Sequence, residues 1–139
     1  MTSREITMTE TAQGTRLAEV GRVAVTVADQ DRALEFYVGT LGFEKRADIP
    51  FGDGHRWIEV SPAGAPTGIA LVLPREGGQG PGYDTGIILT SEDIDADHAT
   101  LRSRGVDTDP EVQRWGAPVP PMFSFRDGDG NALMVVENG

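Results

Sequence analysis

The sequence predicts an α+β chain made of two tandem βαβββ modules. Short β-branched stretches alternate with two capped, helix-periodic stretches. Gly 18 and Pro 9 in 139 residues supply many tight turns. The second half also repeats the plan of the first, the mark of a duplicated unit. The reading divides the chain into a flexible tail over 1–16, a first module over 17–74, a linker over 75–83 and a second module over 84–139. Together they form one domain whose sheets curve around a shared cleft.

Arg22 to Val27 (RVAVTV) alternates and is rich in branched side chains, as a strand requires. Asp29 can cap a helix on which Ala33, Leu34, Tyr37 and Leu41 recur at helical spacing, and Gly42 stops it. Phe43–Ala47, Trp57–Val60 and Ile69–Leu73 are the strands that complete the module. In the second half TGIILT is the first strand, and the helix of SEDIDADHATLRSRG is capped near Ser91 or Asp93 and stopped at Gly105. Val112–Trp115, Met122–Arg126 and Ala132–Val136 are the strands expected after it. Superposing the halves sets Arg22 opposite Gly86. It also lays IALVL on ALMVV, so that Leu71 answers Met134.

Composition narrows the function. Cysteine is absent, which excludes disulfides, thiol nucleophiles and thiolate metal sites. No stretch approaches the roughly 20 apolar residues of a membrane helix. The polar N-terminus carries acidic residues and no apolar core, so a cytoplasmic protein is expected. A formal charge of −10 argues against nucleic acid as partner and favours a neutral or cationic guest.

VADQDRALEFYVGTLGFE, DIDADHATLRSRGV and FRDGDGNALMVVE stand in order and at the spacing of a known family. From about Val20 to Glu137 the chain resembles the vicinal oxygen chelate superfamily, which includes glyoxalases, bleomycin-resistance proteins and dioxygenases. The last segment matches that family's closing turn except that Gly128 replaces a proline. DGDGN is not an EF-hand loop, because its sixth position is Ala132 and its twelfth is Asn138.

The resemblance implies a glyoxalase-like fold and, in metal-dependent members, ligands on the first and last strand of each module. Those positions fall on Arg22, Leu71, Gly86 and Met134, which cannot chelate a divalent ion. Neither metal nor cofactor is therefore expected. A register shifted by one residue would bring in Glu19, Glu59 and Glu137, but would turn Val23, Val25 and Val27 into the cleft. His55 lies in a turn and His98 on a helix, facing solvent.

On this register the cleft face carries Arg22, Ala24 and Thr26, then Ile69, Leu71 and Leu73. The second module adds Gly86, Ile88 and Thr90, then Ala132, Met134 and Val136. Phe51, Trp57, Trp115, Met122 and Phe123 flank Gly/Pro-rich turns where a flat guest could stack. Arg22 is expected to pair internally, with Glu59 or Glu137, or else to present its donors to a ligand oxygen such as a carboxylate, quinone or phenolate, the internal pair being the commoner outcome. The resemblance then implies a metal-independent, small-molecule-binding homodimer that sequesters an antibiotic or other aromatic metabolite. The alternative is a metal-dependent lyase, isomerase or dioxygenase. Whether the modules pair within one chain or swap between two is left open.

Overall fold

The computed structural model describes residues 14–138, so most of the expected tail lies outside the described residues. The first module runs β1 (Arg22–Thr26), α1 (Gln30–Leu34), β2 (Glu44–Pro50), β3 (Arg56–Ser61) and β4 (Gly68–Val72). The second runs β5 (Asp84–Ser91), α2 (Ile94–Ser103), β6 (Asp107–Thr108), β7 (Met122–Arg126) and β8 (Ala132–Glu137). Each forms a four-stranded mixed sheet, ordered β1-β4-β3-β2 and β5-β8-β7-β6. First and last strands pair in parallel, and the rest are antiparallel.

Both helices start as their sequences dictate. The Asp29 side chain accepts from the Arg32 amide, and Asp93 from that of Ala96, satisfying donors the first turn leaves free. After Leu34 the first helix widens into a π-helical stretch, Glu35–Thr40, where a regular helix to Leu41 was expected. This stretch sets Phe36 and Tyr37 edge to face at 5.2 Å and lays Phe36 against Phe125 of the other module at 6.3 Å. Wider turns of this kind occur where a side chain must be re-aimed, here into the seam between modules.

The strand expected over Val112–Trp115 is replaced by a single bridge between Gln113 and Met122. Pro118, Pro120 and Pro121 bring no backbone N–H to a ladder, and Gly116 turns the chain at φ 91°. The edge strand of that sheet is instead β6, two residues long.

One core serves both modules. Val25, Val27, Tyr37, Ile58, Val60, Ile69 and Leu71 of the first join Ile94, Leu101, Phe123, Phe125, Leu133 and Val135 of the second. Each fully buried Leu, Ile or Phe contributes about 1.5–3 kcal/mol. These residues all lie on the helix-bearing sides of the sheets, so the modules are joined there. The closing DGDGN turn clasps the seam. The Tyr37 hydroxyl donates to Asp127 at 2.8 Å, and the Asn131 amide donates to Asp127 and to the Thr26 carbonyl, each at 2.9 Å. Burial, and then the Asp127 carboxylate, push the Tyr37 phenol far up from its ordinary value.

Candidate ligand-binding cleft

Strand parity defines the opposite face. Arg22 pairs with Gly68, Ala24 with Ala70 and Thr26 with Val72. Glu59 sits across from Ala70, so Trp57 and Glu59 share this face. The register expected from the repeat is therefore off by one on β4. Leu71 pairs with Val25 and is fully buried, Ile69 is 3% exposed, and Ala70 and Val72 take the cleft positions. In the second module Ile88 pairs with Met134 and Thr90 with Val136, as expected. Ala70, rather than Leu71, answers Met134.

A cavity of about 530 Å³ lies on the first sheet's cleft face. Ala24, Ala70, Val72 and Leu73 floor it, and Phe51, His55 and Trp57 wall it. Phe51 and His55 stand 6.0 Å apart, ring to ring. Arg22, Arg56, Arg75 and Gln30 complete the lining, which contains no carboxylate. The acidic side chains nearest it, Glu59, Asp31 and Asp48, pair with Arg22 and Arg56. Gln30 donates to the carbonyls of Arg56 and Leu71 at 2.7 and 2.9 Å, pinning α1 to the ends of β3 and β4.

Glu59 organises this wall. It is 8% exposed and accepts from Trp57 Nε1 at 2.6 Å, while Arg22 Nε stands 2.9 Å from the same oxygen. Of the two partners expected for Arg22, the fold supplies Glu59. Arg56 is locked by Asp48 and Asp31. The hydrogen bond from Arg56 draws the Asp48 carboxyl down to about 2.

Other expected cleft residues are dispersed. Thr26 is 7% exposed and its amide is capped by the Tyr83 hydroxyl at 3.2 Å. Phe123 faces the core at 1% exposure and meets His98 edge to face at 4.9 Å, because alternation along β7 sends Met122 and Ser124 to the other side. His98 does not face solvent freely, since its Nε2 meets the Asp109 carbonyl at 2.7 Å. Trp115 is exposed in the proline-rich loop. Ile88, Met134 and Met122 lie on the second sheet's cleft face, and Ile88 is 60% exposed. Sequence reasoning overlooked Gln30, Arg56, Ala70, Val72 and Arg75, and assigned His55 to a turn alone.

On this register the positions that the resemblance assigns to metal ligands fall on Arg22, Ala70, Gly86 and Met134. Gly86 lies in a β-bulge at φ 74°, held by hydrogen bonds to Asp84 and by the Thr85 hydroxyl to Ala132. A β-carbon at that backbone angle is strained, so a ligating side chain is disfavoured there by conformation as well as by identity. These residues do not fit a divalent ion. No cluster of three His, Cys, Asp or Glu that could hold one occurs among the described residues.

Two βαβββ sheets with open cleft faces define the class, and the comparisons agree. The chain belongs to the Glyoxalase/Bleomycin resistance protein/Dioxygenase superfamily, whose model matches residues 19–135. It is 35% identical to TnmS3, an antibiotic binding protein from Streptomyces sp. CB03234, with a TM-score of 0.78 over 91% of this chain and 100% of that one. A superfamily member from Sphaerobacter thermophilus DSM 20745 is 43% identical, with a TM-score of 0.79 over 89% of this chain and 100% of its own. The uncharacterized protein YetH of Bacillus subtilis (strain 168) is 32% identical over 124 residues, which span 87% of this chain and 99% of YetH. No helix among the described residues is long and apolar enough to cross a membrane.

Proposed function

We propose that this chain is a metal-independent binder that sequesters a flat, largely apolar organic molecule, such as an aromatic antibiotic. The observation that carries the reading is the exchange made at the family's metal positions. Residues that cannot ligate stand there, while the same face offers Trp57 and Phe51 around a cavity of drug-like size. The likeness to TnmS3 points the same way.

The working unit we infer is a homodimer. The modules spend their helix-side faces on each other, which leaves Ile49, Phe51 and Ile88 more than half exposed. A second copy could lay the Ile88–Met134 wall of one chain over the Trp57 wall of the other, closing the guest between an indole and apolar side chains. Titration with a panel of flat aromatic natural products tests the reading. Saturable quenching of tryptophan emission, lost in Trp57→Phe, with no change in the guest's chemistry is expected. Emission unmoved by every member would reject it.

A further inference from the structure

The cavity beside Trp57 has one wall of aromatic rings and a rim of three guanidinium groups, of which Arg22 and Arg56 are ion-paired. Arg22, Arg56 and Arg75 line it and no aspartate or glutamate does, although the chain carries 22 acidic and 12 basic residues. The carboxylates that neutralise Arg56 stand off the lining, on α1 and β2. Arg22 commits its Nε to Glu59 and is 55% exposed, which leaves its terminal N–H groups to the cavity. Arg75 forms no ion pair among the described residues. It is an exposed residue just past β4.

We propose that the guest is an aromatic acid, a planar ring system bearing a carboxylate or ionised phenol. Its rings lie on Trp57 and Phe51, and its anionic oxygen is met by Arg75 and the free edge of Arg22. The proposal rests on the sequestering function inferred above and fixes the polarity of the guest. Guanidinium is suited to this task because its planar fork matches an anionic oxygen pair and stays charged. The net charge of −10 does not oppose it, since the nearby carboxylates Glu59, Asp31 and Asp48 are taken up by Arg22 and Arg56, and charges beyond about 8–10 Å are screened at physiological salt. The groups in contact with the guest decide the sign.

The test is calorimetric titration of the intact protein with anthraquinone-2-carboxylate, its neutral carboxamide and 2-(aminomethyl)anthraquinone. The carboxylate should bind about tenfold more tightly than the amide, with the ammonium weakest. Added salt should narrow the gap. Arg75→Gln should remove most of the carboxylate's advantage, whereas Arg102→Gln, on the exposed side of α2, should preserve it. Amide or ammonium binding as tightly as carboxylate would overturn the proposal and leave the aromatic-binding function standing. An advantage that survives Arg75→Gln would overturn the assignment to Arg75. Binding of none of the three would overturn both this proposal and the function beneath it.

Discussion

Glu59 shows how one side chain serves both stability and recognition. It holds the Trp57 indole and the Arg22 guanidinium on one oxygen while almost out of water. A carboxylate so placed is costly to desolvate, so replacing it with a neutral side chain that still accepts from Trp57 need not unfold the protein. Glu59→Gln is expected to keep stability to chemical denaturation within about 1 kcal/mol while weakening guest binding about tenfold, as Arg22 loses its anchor. A parallel fall in stability and affinity would instead make Glu59 a structural residue only. Tyr37 tests the opposite case, a buried polar group that joins modules. Tyr37→Phe removes its hydrogen bond to Asp127 and should cost about 1–2 kcal/mol in denaturant unfolding. Because the folded protein holds this phenol's pKa above the ordinary 10.0, its contribution is full below that pH and is lost as pH climbs past it. The wild type should therefore lose its advantage over Tyr37→Phe in alkaline buffer.

At the scale of elements, the β5 bulge is the feature with the clearest energetic consequence. Gly86 occupies a left-handed conformation there, so Gly86→Ala should destabilise by about 1–2 kcal/mol, measured as a lower denaturant midpoint at unchanged slope. The sheets themselves were legible in the sequence. Alternation gave β1, β5, β7 and β8, and Asp29, Gly42, Asp93 and Gly105 bracketed both helices, because local propensity and capping act within a few residues. The register of β4 was not legible. GIALV is apolar on both faces, so no alternation marks which side meets the helix, and a one-residue slip moved Leu71 into the cleft. The first helix concealed its π-helical stretch, which answers to packing against Phe125 in the other module rather than to local spacing. The cleft was legible in part. Trp57, Phe51 and Arg22 were visible as unusual residues beside turns, whereas Gln30 and Arg56 owe their places to partners far apart in the chain, and Arg75 stands in a loop that no periodicity marks.

At the scale of the whole molecule, the two modules are halves of a cleft that turn their backs on each other. The helix sides share one core, while Ile49, Phe51 and Ile88 stand more than half exposed on the other side. A second copy is the simplest cover, and a species of twice 14.9 kDa is expected by light scattering. Ile88→Asp should shift it toward one chain's mass without unfolding it, since that side chain is 60% exposed. The function proposed for this cleft is to hold an aromatic guest without a metal. Native mass spectrometry tests it most directly, on protein purified without chelator and measured again after denaturation. The expected result is a dimer whose mass is protein alone or protein plus an organic molecule released on unfolding. About one divalent ion per chain would contradict the claim and bring forward a metal-dependent lyase, isomerase or dioxygenase.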